Sequence, residues 1–113
     1  MTTNKNYNRI MDGLREGYYR SNPAWCANDL SILSGEYAWI CGQLEEILVK
    51  KPAWWNVERE KVKSDTACEK QWEQTEDGVN EMGLRMRMKG AEKMMSALKS
   101  LLRVAEGESH NLH

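Results

Sequence analysis

Apolar residues recur along this chain at alternating steps of four and three, the period of a helix face that packs on another helix. The first seam is Cys26, Leu30, Leu33, Tyr37, Ile40, Leu44 and Ile47. The second is Leu84, Met88, Ala91, Met95, Leu98, Leu102 and Ala105, widened by Met94 and Leu101. Each predicts a long amphipathic helix, and the pair predicts antiparallel packing within one chain, between chains, or both. Gly35 and Gly42 share one heptad position beside the first seam. Glycine costs a helix about 0.8–1 kcal/mol against alanine, so the pair predicts the close approach of another helix.

Breaks in the pattern set the expected boundaries. Asn22-Pro23 reads as a helix start, with Asn22 as N-cap and Pro23 at the first position, and the helix should run to about Val49. Lys51-Pro52 ends it, because the residue before proline avoids the α region. A second helix should start at Pro52 or Ala53 and reach at least Thr75. It buries only a thin stripe, Trp55, Val62, Cys68 and Trp72. "TEDG", Thr75–Gly78, carries an Asp-Gly turn signal. The four-three spacing nevertheless continues across it through Cys68, Trp72, Thr75, Val79, Met82 and Met86, which predicts a continuous or kinked helix. A short helix is expected around Tyr7–Gly17, and Gly107 suits a C-cap.

The expected organisation is an N-terminal arm over 1–22, a helical domain over 23–107 and a frayed tail over 108–113. The fold class is all-α, with long heptad-patterned helices in a hairpin or bundle. A homo-oligomer is expected, because two full seams plus spare Trp and Met offer more apolar edge than one thin bundle covers. Leu84, Met88, Met95, Leu98 and Leu102 are the expected oligomer interface.

Composition narrows the chemistry. The chain has 113 residues, a net charge of −1 and two prolines, so no global charge draws it to nucleic acid and nothing forbids helix after Ala53. Cys26, Cys41 and Cys68 form no C-x-x-C pair, which argues against a disulfide framework or a zinc site and points to a reducing cytoplasm. The opening "MTTNKNYNRIMDG" lacks an apolar signal core, and no run approaches the roughly 18 apolar residues of a membrane span. The histidines, His110 and His113, sit in the tail, leaving none to activate a Ser or Cys nucleophile. Glu69, Glu73, Glu76, Asp77 and Glu81 read as a solvated acidic face. No catalytic residue, metal or cofactor is expected.

The cations are clustered. Between Leu84 and Val104, Arg85, Arg87, Lys89, Lys93, Lys99 and Arg103 face a single acid, Glu92. Lys50, Lys51, Arg59, Lys61 and Lys63 surround Trp54 and Trp55. Basic groups interleaved with aromatic rings are what a single-strand groove uses: cations follow the phosphates and a ring stacks on a base. In that role Lys50, Lys51, Arg59, Lys61, Lys63, Arg85, Arg87 and Lys89 neutralise phosphates and Trp54 stacks. Trp55, seven residues before Val62, is the core candidate of the two rings. In the structural alternative, the charges flank amphipathic helices and pair with the acidic stretch, and the rings lie in a core or subunit interface. Of the seven methionines, Met86 lies off the seam and is the one expected to touch a partner.

The segment "WWNVEREKVKSDTACEKQWEQTEDGVNEMGLRMRMKGAEKMMSALKSLLRVAEGESHN" resembles small helical phage proteins, the UvsY-type recombination mediators in particular. The matching stretches are Glu58–Gly78 and Leu84–Glu108, with Lys61–Ala67 a loose counterpart of the family's basic DNA-contact stretch. The resemblance implies a ring-forming accessory protein of the host cytoplasm that binds single-stranded DNA and helps load a RecA-like recombinase. The alternative is a helical protein-interaction module, such as a phage adaptor, scaffold or inhibitor of a host system, that takes a host protein as partner and binds no nucleic acid.

Overall fold

The computed structural model describes residues 2–111, with side chains over 5–107. The described chain is helical, with no strand: α1 (Thr2–Glu16), α2 (Tyr18–Ser21), α3 (Ala24–Leu48), α4 (Lys51–Arg59), α5 (Asp65–Gln74) and α6 (Glu76–Asn111). Gly17 separates α1 from α2 at φ 75°, a left-handed conformation that glycine adopts without a Cβ clash.

The long helix α3 lies where the first seam puts it. Its start is built differently from expectation. The Asn22 side chain donates from Nδ2 to the Tyr18 carbonyl at 3.0 Å and so closes α2, which ends one residue earlier, instead of capping α3. Its backbone carbonyl accepts from Trp25 N at 3.1 Å. Pro52 sits in the first turn of α4, where its missing N–H is no loss.

The single helix expected from Pro52 to Thr75 is two helices. Ser64 is extended, and its Oγ accepts from Ala67 N at 3.1 Å, an N-cap that starts α5 with Asp65 in the first turn. The continuity expected across "TEDG" also fails, and it fails at Thr75. Thr75 is extended at ψ 158°, donates from Oγ1 to the Trp72 carbonyl at 2.6 Å and accepts from Gly78 N at 2.9 Å. It therefore ends α5 and caps α6, with Glu76 and Asp77 placed favourably at the positive helix end. Asp77-Gly78 is not a separate turn but part of the first turn of α6. Helix α6 also passes through Gly107, which is not a C-cap, and extends to Asn111. The side chains of the expected tail over 108–113, His110 and His113 among them, lie outside the described residues.

The chain forms two compact units: residues up to Ala38 with those from Lys89 onward, and Trp39–Met88. In the first, Ile10, Tyr19, Cys26, Leu33, Met94 and Leu98 form the buried core. Asp29 is buried beside it and fully engaged. It accepts from both Arg9 Nη atoms (2.9 and 3.1 Å), from Tyr19 Oη at 2.6 Å and from Asn28 Nδ2 at 3.3 Å. Burial and the Asp29 carboxylate push the Tyr19 phenol well above its ordinary range. Tyr7 lies against Gly90 so closely that a Cβ there would overlap its hydroxyl. Tyr37 donates to Glu92 Oε1 at 2.8 Å.

In the second unit, Ile40, Leu44, Ile47, Cys68 and Trp72 are buried. Gly78 meets the Trp72 carbonyl, and a Cβ would overlap that oxygen, so the turn from α5 into α6 admits only glycine without a shift. Cys41 Sγ lies 4.0 Å from Met88 Sδ. All the seam positions are buried or half-buried. Gly35 and Gly42 are not approached: both are exposed, and a Cβ added at either would have nothing among the described residues within 4 Å. The helix that the two glycines predict is not supplied by the described chain.

Candidate functional site

The paired tryptophans stand in the first half of α4, where a buried ring comes to meet them from α5. Trp72, 2% exposed, packs edge to face on Trp54 with centroids 5.2 Å apart and planes at 62°. Trp55 is half-buried as well, and its carbonyl lies 4.0 Å from Cys68 Sγ. The roles expected of the two rings are therefore not divided as the periodicity implies. Trp54, the expected stacking ring, packs on Trp72 and is half-buried, so part of it stays exposed.

Lys51 is drawn inward beside them. Its Nζ lies 3.2 Å from Glu69 Oε2, 3.9 Å from Glu81 Oε1, and 5.2 and 5.7 Å from the ring centroids of Trp72 and Trp55. Glu81 is the hub of the cluster. It accepts from Trp72 Nε1 at 2.9 Å and from Arg85 Nε at 2.9 Å. Burial alone would raise its pKa, but the hydrogen bonds from Arg85 and Trp72 and the charge of Lys51 outweigh that and hold it below the ordinary carboxylate value.

The other cations of the expected groove divide into paired and exposed groups. Arg59 binds Asp65 Oδ1 at 2.8 Å through Nε and the Val62 carbonyl at 2.9 Å through Nη1, clamping the α4–α5 connection. Lys61 lies 3.9 Å from Glu58. Lys50 and Lys63 are exposed in the same unit, and Arg87 is half-buried. Lys89 is exposed and belongs to the other unit. The acids expected to be a solvated face thus supply Glu69 and Glu81 as counter-charges. Sequence reasoning passes over Glu81 as an individual residue, although its spacing of four from Arg85 on one helix is the signal of such a pair.

Of the expected oligomer-interface residues, Leu98 is fully buried in the first unit's core, and Met95 and Leu102 pack on it. Met88 faces Cys41, and Leu84 is half-buried. A different face of α6 is open. Val79, Met82 and Met86 are 58, 53 and 68% exposed, and Gly83 between them has nothing among the described residues within 4 Å.

Among the described residues no group of three or more His, Cys, Asp or Glu is arranged to hold a metal ion. No helix of the described chain is long and apolar enough to cross a membrane. No family model, curated protein or solved structure matches the chain.

Proposed function

We propose that this chain is a non-catalytic helical module that works by contact with other proteins. The observation that carries this reading is the open apolar face of α6, Val79, Met82 and Met86. Exposed apolar patches mark interfaces, and methionine adapts its shape to a partner surface. A phosphate-binding groove would need its cations available for counterion release. Of the cations expected in such a groove, Lys51, Arg59, Lys61 and Arg85 each face a carboxylate of their own chain, and Trp54 faces Trp72, while Lys50, Lys63 and Lys89 are exposed.

Two measurements test the reading. A labelled single-stranded oligonucleotide titrated at low salt should show no saturable rise in anisotropy. Binding that weakens steeply with added salt would sink the proposal in favour of the single-strand-binding role. A photo-crosslinking side chain in place of Met86 should give protein adducts in the cells that make the chain, and one in place of Lys63 should give far fewer. Nucleic-acid adducts alone, at either position, would also count against it.

A further inference from the structure

We infer that the groove bounded by α1, α2 and the first turn of α3 takes an arginine side chain of a partner polypeptide, held by Asp12 and Glu16 beside the rings of Tyr18 and Trp25. The groove has a volume of about 940 Å³ and lies wholly in the first unit. Lys5, Arg9 and the buried Tyr19 complete the lining that matters here. Both outer rings stand in water: Tyr18 is 42% exposed and Trp25 49%. Tyr18 is braced edge to face on Tyr19, with centroids 5.3 Å apart, and Tyr19 is itself tied to Asp29. A concave site of roughly 300–1,000 Å³, with aromatic walls and a few polar groups, is what a specific ligand needs.

Charge decides what the groove takes. Arg9 is already engaged: both Nη atoms go to Asp29, so its guanidinium is a fixed wall and not an anion receptor. Lys5 is the other cation on the lining, and it stands about three turns, roughly 16 Å, before Glu16 along α1. That exceeds the ~10 Å Debye length at 0.1 M salt, so Lys5 does little to the acids. Asp12 and Glu16 lie one turn apart on one face, at the carboxyl end of α1. Like charges at that spacing destabilise a helix, and carboxylates at that end oppose its dipole. The chain offsets little of this. Arg15 lies 4.0 Å from Asp12 with both side chains exposed, and Glu16 has no ion-pair partner among the described residues. A bound cation relieves both effects. The rings select which cation, because a planar, weakly hydrated guanidinium stacks on an aromatic face better than an ammonium does. The groove is far larger than one side chain, so the arginine arrives on a polypeptide segment. The same carboxylates repel phosphate, which sets aside nucleic acid and phospholipid. None of these residues belongs to the open α6 face, so failure here leaves the proposed function standing, and the reverse also holds.

The test is titration of the full, isotope-labelled chain with a short acetylated and amidated glycine–serine peptide carrying one arginine, followed by amide and indole NMR. Saturable shifts should appear at Gly13, Glu16 and the Trp25 indole, with a Kd of about 1 mM or below. The same peptide with norleucine in place of arginine should bind about tenfold more weakly, and one with glutamate should not bind. Trp25→Ala should weaken the arginine peptide about fivefold, and Glu16→Lys should abolish its binding. Both side chains are exposed, so helicity by circular dichroism should be unchanged. The peptide series needs no variant and stands even if one unfolds. No saturable shift at these residues, equal binding of the norleucine peptide, binding of the glutamate peptide, or binding indifferent to Glu16→Lys would each overturn the inference.

Discussion

Arg9 sets one guanidinium nitrogen on each carboxylate oxygen of Asp29, at 2.9 and 3.1 Å, and the two partners are not equally buried. The Asp29 side chain is 0% exposed and that of Arg9 is 47% exposed. The consequences of breaking the pair are therefore unequal. Arg9→Met leaves a carboxylate in the interior with its main counter-charge gone, and should cost about 3–5 kcal/mol. Asp29→Asn leaves a cation that reaches water and a Tyr19 hydroxyl with a weaker acceptor, and should cost about 1–3 kcal/mol. Urea unfolding of the two variants checks the order; equal costs would mean that burial does not govern this pair.

The same pair sets the acid limb of stability. Burial by itself would raise the pKa of Asp29, but the hydrogen bonds from Arg9 and Tyr19 and the charge of Arg9 hold it below the ordinary value. Glu81 is depressed in the same sense. A carboxylate whose pKa is lower folded than unfolded binds fewer protons when folded. Its stabilisation is complete above the unfolded values, near 4, and is lost as pH falls through the folded values. The urea midpoint should therefore fall on acidification below about pH 4. The fall should be shallower in Asp29→Asn, and unchanged steepness there would exclude Asp29 as a contributor.

Glycine-to-alanine replacements should differ in sign along the chain. At Gly90 the new methyl group meets Tyr7, and the substitution should destabilise by about 1–3 kcal/mol. At Gly35 and Gly42 the methyl group enters open space within α3, and each substitution should stabilise the chain by about 0.5–1 kcal/mol. Thermal unfolding separates the two classes. In a Tyr7→Ala background the Gly90→Ala cost should largely disappear, since the two residues share one contact.

The two caps of the second unit should also be unequal. Ser64→Ala removes one hydrogen bond, to Ala67 N, and should cost about 1 kcal/mol. Thr75→Ala removes the bond from Gly78 N and the one to the Trp72 carbonyl, and should cost about 2 kcal/mol. Denaturant midpoints measure both. A Thr75→Ala variant no less stable than Ser64→Ala would mean that the α5–α6 junction is held by Trp72 and Gly78 packing alone.

Local periodicity by itself determined that the chain is helical, where α3 begins and ends to within a residue or two, and which face of α3, and of α6 from Leu84 onward, turns inward; the run through Val79, Met82 and Met86 at the start of α6 stays open. Those are properties of neighbouring residues on one helix, and each seam residue is buried or half-buried as its spacing requires. Ser64 and Thr75 carry a local cap signal, each being a hydroxyl residue followed by an acid, but the helix expected from Pro52 runs through Ser64 and the apolar spacing runs across Thr75, so neither is read as a cap. Only the tertiary structure decided the rest. Nothing local says that Trp72 comes from α5 to pack on Trp54, that Glu69 and Glu81 draw Lys51 inward, or that Arg9 reaches Asp29 twenty residues away. A lysine near a tryptophan has the same local signature whether it awaits a phosphate or already faces a carboxylate. Which of these holds depends on long-range packing, because a counter-charge acts through distance in space and not along the chain.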